Sequence, residues 1–160
     1  MDLVSYRQVV DLLAAVEDVE WHLERVAAGA SRLVGVLGGA AFELEVSRDR
    51  EPASEGDLQF VGASLGDLRR LVALRETGAR LDPEEALLIR ERYEAASPGP
   101  WVASIEADGG LAGCDVILVS DRDDQADMYL WVDGELAPSR LFRVVAFARQ
   151  AIPDLLEHAR

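Results

Sequence analysis

Two short stretches of this chain recur, and a recurrence restricts the fold more than any single motif does. Glu24-Arg25-Val26-Ala27-Ala28 returns as Glu91-Arg92-Tyr93-Glu94-Ala95, and Phe60-Val61-Gly62-Ala63 returns as Val144-Val145-Ala146-Phe147. A chain of this kind is expected to form two related helix-strands-helix units, residues 1–78 and 81–160. The predicted fold class is α+β, an antiparallel sheet with long helices packed on one face and a pseudo-twofold relation between the units. The first pair of motifs is 67 positions apart and the second 84, so the second copy is expected to carry 17 extra residues (84 − 67), the strand Met128–Val132 among them.

Periodicity supplies the elements. Val9, Leu12, Leu13, Val16, Val19, Leu23 and Val26 recur at helical spacing, which predicts one long amphipathic helix from Val4 to about Ala28. Arg32–Leu37 and Ala41–Val46 read as strands joined at Gly38-Gly39, where positive φ allows a tight hairpin. Phe42, Leu44 and Val46 alternate with Glu43 and Glu45, one face buried and one wet. Ser47–Gly56 reads as a loop. Asp57 is expected to cap a helix lined by Phe60, Val61, Leu65, Leu68, Leu71, Val72 and Leu74, with Gly78 ending it. Gly62 and Gly66 weaken that helix unless its backbone must approach a neighbour closely.

The second unit opens on Asp82-Pro83-Glu84-Glu85, a cap, a proline where no donor is needed and first-turn acids, so a helix from Pro83 to about Ala95 follows. Ser97-Pro98-Gly99-Pro100 stops it. Trp101–Glu106, Asp115–Ser120 and Met128–Val132 read as strands, separated by a Gly109-Gly110 turn and the acidic loop Asp121–Asp127. The last helix starts near Ser139, and Pro153 is expected to kink it or to begin a new segment.

Composition narrows the function. At 160 residues and 49% hydrophobic content the chain can bury a core without disulfides or metal, and its single cysteine, Cys114, points to a reducing, cytoplasmic setting. No leader pattern and no apolar run of membrane-spanning length is visible. Thirty acidic against 16 basic residues give a net charge of −14, and every basic residue is arginine. The absence of lysine excludes Schiff-base chemistry and lysine-dependent phosphate loops, and the acidic excess disfavours direct nucleic-acid or membrane binding. A basic protein partner is favoured, and a homodimer is allowed.

Glu91-Arg92-Tyr93-Glu94-Ala95-Ala96-Ser97-Pro98-Gly99-Pro100-Trp101, followed by Phe142-Arg143-Val144-Val145-Ala146-Phe147-Ala148-Arg149-Gln150-Ala151-Ile152-Pro153-Asp154-Leu155-Leu156, resembles a set of small bacterial and phage-encoded proteins with an AATPGPW element and a terminal FIAxARxDIPxLL helix. The likeness spans residues 85 to 160, and the chain departs from it at Ala151, where an acid is usual, and at Arg143, where a small residue is common. What the resemblance implies is an accessory or conflict-related role, phage or mobile-element associated.

The candidate binding residues are Trp101, Arg143, Arg149, Asp121, Asp123, Asp124 and Asp127. Trp101, between prolines and a strand, reads either as an aromatic platform or as a core anchor. Arg149 is placed to reach Trp101 or a phosphate, or to pair with Glu91 or Glu94, and the acidic loop to accept guanidinium groups. That loop lacks the glycine and distal glutamate of a calcium site. His22 and His158 stand alone on predicted helices, no catalytic motif is present, and no metal or cofactor is expected. The reading that follows is a non-catalytic cytoplasmic module that binds and neutralises a macromolecule, of immunity or anti-defence type. Two alternatives stand beside it: a binder of a nucleotide-like signal using Trp101 for stacking and Arg143 or Arg149 for phosphate, and a hydrolase using perturbed carboxylates or a Cys114–histidine pair.

Overall fold

The computed structural model describes residues 1–26, 31–110, 112–119 and 126–160. Helix α1 (Leu3–Ala15) is followed by strands β1 (Val19–Arg25), β2 (Ser31–Leu37), β3 (Ala40–Arg48) and β4 (Glu51–Pro52) and by helix α2 (Glu55–Thr77). Helix α3 (Pro83–Ala95), strands β5 (Val102–Ser104), β6 (Val116–Leu118), β7 (Met128–Val132) and β8 (Glu135–Leu136), and helix α4 (Ser139–His158) repeat that order. The fold is α+β, with one antiparallel sheet in the order β1-β2-β3-β7-β6-β5; β4 pairs with β3 and β8 with β7.

The two halves meet on a pseudo-dyad. Val46 of β3 faces Leu130 of β7, 84 positions on (130 − 46), and α2 and α4 begin 84 apart as well (139 − 55). The tight turns after β3 and β7 place Asp49 and Asp133, again 84 apart, at φ 52° and 50°. The Asp49 N–H donates to the Asp127 carbonyl and the Asp133 N–H to the Glu43 carbonyl, each the image of the other. Eight of the nine buried positions of α2 land on buried positions of α4 when 84 is added; the ninth, Leu74, maps to His158. Upstream the offset is 80: Asp2 and Asp82 cap α1 and α3, and the pair Leu23–Leu33 corresponds to Ala103–Ile117. The insertion in the second half is therefore four residues (84 − 80), in the β5–β6 connection, and not 17.

The error in that expectation has a definite source. Glu24-Arg25 lies on a strand and Glu91-Arg92 on a helix, so these motifs are not equivalent. The first helix stops at Ala15 instead of running to Ala28, because from Val19 the period changes from 3.6 to 2, with Val19 and Trp21 buried and Glu20 and His22 exposed. His22 accordingly sits on a strand. Ser54, not Asp57, caps α2, its hydroxyl accepting the Asp57 N–H at 3.2 Å. β4 occupies part of the expected loop Ser47–Gly56, and α4 continues through Pro153 without ending.

Two strands are shorter than expected, β5 covering Val102–Ser104 of Trp101–Glu106, with Glu106 opening a 3₁₀ turn, and β6 covering Val116–Leu118 of Asp115–Ser120. Several other boundaries follow the expected chemistry. Gly38 and Gly39 turn the β2–β3 hairpin at φ 56° and 84°, and Gly78 closes α2 in the left-handed region. Both α2 and α4 lie on one face of the sheet, while α1 packs on α4 and α3 on α2, so each half covers the other's second helix. Gly62 explains one close approach: a Cβ there would sit 2.8 Å from Leu33 Cδ2 and 3.4 Å from Leu23 Cβ. Burial of Phe60, Leu65, Leu68, Leu71, Leu141, Phe142, Val145 and Ile152 between helices and sheet stabilises each large side chain by about 1.5–3 kcal/mol.

Candidate functional site

Because β1, β2 and β3 alternate, the face turned away from the helices carries Glu20 and His22 on β1, Val34 and Val36 on β2, and Glu43 and Glu45 on β3. Val36 is 41% exposed, unusual for a central strand and a sign that no described element covers this side. β7 continues the face with Tyr129 and Trp131, whose rings stack at 6.1 Å and 29°. Trp131 stands opposite Glu45 and donates from Nε1 to Ser47 Oγ at 3.0 Å, which fixes the indole edge and leaves its face half-exposed. Burial, and then Cys114, Asp127 and Asp49, push the Tyr129 hydroxyl pKa up, keeping it neutral.

Charge on this surface is one-sided. Glu24 pairs with Arg32 at 3.0 Å, but Glu20, Glu43 and Glu45 have no ionic partner among the described residues. Asp133 adds a carboxylate whose Oδ1 accepts the Glu43 N–H at 3.0 Å. A cavity of about 880 Å³ opens here, bounded by Glu20, His22 and Glu43 and reaching Gly66 and Arg69 of α2. Carboxylates around an apolar and aromatic floor are able to accept hydrogen bonds from guanidinium or ammonium groups.

Those residues singled out from the sequence that the structure describes lie elsewhere. Trp101 is fully buried, edge-on to Phe60 at 5.2 Å and 84°, with Nε1 donating to the Ser97 carbonyl at 3.2 Å. It offers no face to a ligand and anchors the core. Arg149, 6% exposed, donates to the Tyr93 carbonyl and lies 3.8 Å over the Tyr93 ring and 5.6 Å from that of Trp101. It forms no ion pair with Glu91 or Glu94; loss of hydration lowers its pKa, and ring faces stand in for a counter-ion. Arg143 is paired with Asp108 at 2.6 Å. Asp127 is half-buried, and burial followed by the Asp49 charge pushes its carboxyl up; Asp121, Asp123 and Asp124 lie outside the described residues. The structure thus brings Trp101 and Arg149 together in the interior, and Arg143 and Asp127 do not join them.

A second polar cluster escaped the sequence. Asp57, with no exposed surface, accepts the Ser97 N–H at 2.7 Å, the Ser97 hydroxyl at 2.8 Å and Arg48 Nη1 at 3.0 Å. Arg48 also donates from Nε to the Ala126 carbonyl at 2.7 Å. These bonds tie β3, α2 and the α3–β5 junction together, an architectural role. Among the described residues no three His, Cys, Asp or Glu side chains are grouped to hold a metal, and no helix is long and apolar enough to cross a membrane.

No family model, curated protein or solved structure matches this chain.

Proposed function

We propose that this protein is a non-catalytic, cytoplasmic recognition module that binds a basic protein and neutralises it, in the manner of an immunity or anti-defence protein. The observation that carries the reading is the uncovered first-half sheet face, where Glu20, Glu43 and Glu45 stand unpaired around Val34, Val36 and the Trp131 ring. Unpaired carboxylates at a half-apolar surface raise the encounter rate with a cationic partner and reject acidic ones. The net charge of −14 acts in the same direction at longer range.

Affinity capture from the native cell, at low and at high salt, tests this with wild type and with a Glu20→Gln/Glu43→Gln/Glu45→Gln variant. A basic protein retained by wild type at low salt, released by salt and missed by the variant is the expected result. Equal retention by both proteins, or recovery only of acidic proteins, would overturn the reading.

A further inference from the structure

The pseudo-dyad exposes a difference between the two edges of the sheet. At the β5 edge, Gln150 of α4 donates from Nε2 to the Trp101 carbonyl at 2.8 Å. The equivalent tryptophan, 80 positions earlier, is Trp21, and the residue equivalent to Gln150, 84 earlier, is Gly66. Among the described residues no side chain donates to the Trp21 carbonyl, and a Cβ built on Gly66 would meet nothing within 4 Å.

The register shows where the β1 backbone groups point. The Gly38 N–H donates to the Asp18 carbonyl at 3.1 Å, so the facing pair 18–38 is hydrogen-bonded, and in an antiparallel ladder every second residue bonds inward. Glu20, His22 and Glu24 therefore satisfy β2, while the main-chain groups of Val19, Trp21 and Leu23 point away from it. Val19 is fully buried with its N–H on the Val16 carbonyl, and Trp21, 7% exposed, meets the cavity, so the edge that can be reached runs from Trp21 to Arg25. β1 is a seven-residue terminal strand, whereas β5 has three residues. The cavity that reaches Gly66 runs along this edge, and four carboxylates (Glu20, Glu24, Glu43, Asp133) border it against two arginines, Arg32, which is paired to Glu24, and Arg69, whose Nη2 donates to the Val16 carbonyl at 2.8 Å.

From these observations we infer that the groove between β1 and α2 takes an extended, arginine- or lysine-bearing segment of the partner, added as a short strand along Trp21–Arg25 of β1. A backbone N–H of the segment donates to the Trp21 carbonyl, taking the place that Gln150 fills in the other half. Basic side chains on one face of the segment meet Glu20 and Glu24, about 13 Å apart along the strand. Strand addition by a second copy is disfavoured, since the register centred on His22 sets Glu20 against Glu24 of that copy, like charge against like. This inference rests on the recognition reading above and specifies where and how the partner engages.

The test titrates a labelled peptide of about nine alternating arginine and valine residues into wild type, Gly66→Gln and Glu43→Gln/Glu45→Gln. Gly66→Gln reproduces the closed edge of the second half at a position with free space, and its folding is checked by a Tm equal to or above that of wild type. Binding to wild type that weakens at least about tenfold in Gly66→Gln, and by less in the Glu43→Gln/Glu45→Gln variant, is the expected result. Equal affinity for wild type and Gly66→Gln, or no binding to wild type, would overturn the groove. The recognition reading has its own arm: a salt-sensitive basic partner captured equally by wild type and Gly66→Gln removes the strand-addition mode and leaves the acidic face standing.

Discussion

The two halves of this molecule repeat one order of elements and differ in what they bury and what they expose. On the outer sheet face the first half carries Glu20, Glu43 and Glu45; the equivalents of Glu45 and Ser47 in the second are Tyr129 and Trp131. Inside, the relation reverses in a different way. Arg48 and Asp57 correspond to Val132 and Leu141, and Arg149 corresponds to Leu65, so each buried charge has an apolar image across the dyad. Duplicated backbones therefore accept either solution at these positions, and the charged versions need an explanation other than folding alone: they join elements from both halves around the α3–β5 junction.

The largest effect is expected where that interior comparison is cut on one side only. Asp57→Leu leaves Arg48 without its carboxylate and should lower stability by about 3–5 kcal/mol, whereas Asp57→Leu with Arg48→Val, the second half's own residues, should recover part of the loss, the Ser97 N–H and hydroxyl remaining without their acceptor. Urea unfolding reads both. A double variant as unstable as the single one would break the equivalence of the halves.

Trp101→Ala should remove about 3–5 kcal/mol, and Trp21→Ala, its image, a comparable amount, since both indoles are buried with Nε1 bonded to a backbone carbonyl. A Trp101→Ala protein of normal stability would contradict the core-anchor role of the indole. Smaller effects sharpen the contrast between the two glycines of α2. Gly66→Ala, in open space, should stabilise the protein by about 0.5–1 kcal/mol through helix propensity. Gly62→Ala presses on Leu33 and should fall short of that gain, as differential thermal unfolding would show.

Titration gives the finest comparison. A hydrogen bond from Arg140 holds the Asp18 carboxyl below its ordinary range, and one from Arg143 does the same for Asp108. Their stabilisation is present above the unfolded carboxylate value, about pH 4, and is lost as pH falls through the lower folded values. Asp67 is the opposite case: burial, outweighing the Arg92 contacts at 2.8 and 3.0 Å, raises its pKa. Its contribution is present below the unfolded value and is lost as pH rises through the folded one. Asp18→Asn and Asp108→Asn should each flatten the acid limb of a Tm–pH curve, and Asp67→Asn should steepen it.

Much of the architecture was legible because local chemistry and tertiary fold agree. Asp82-Pro83 starts α3, Gly78 ends α2, and Gly38-Gly39 turns a hairpin, each for a backbone reason visible in the residues themselves. The boundary of α1 was not legible, since Val16, Val19, Leu23 and Val26 fit a helical stripe, and only the pairing of Trp21 with Gly35 and of Leu23 with Leu33 turns that segment into a strand. This one misassignment displaced the repeat's first anchor and turned an offset of 80 into 67. The wet face of β3 was visible in Glu43 and Glu45, but its continuation through Tyr129 and Trp131 depends on β3 meeting β7, a contact between residues 84 apart that no local pattern announces. Trp101 and Arg149 drew notice as conspicuous residue types; both are conspicuous because the core needs them.

Residue-resolved amide shifts during titration with the arginine–valine peptide test the division between the halves most directly. The account predicts perturbations concentrated on β1–β3, from Glu20 to Glu45, and on α2 around Gly66, with Val102–Leu118 and the Gln150 region silent. Shifts spread evenly over both halves, or centred on β5 and α4, would contradict it.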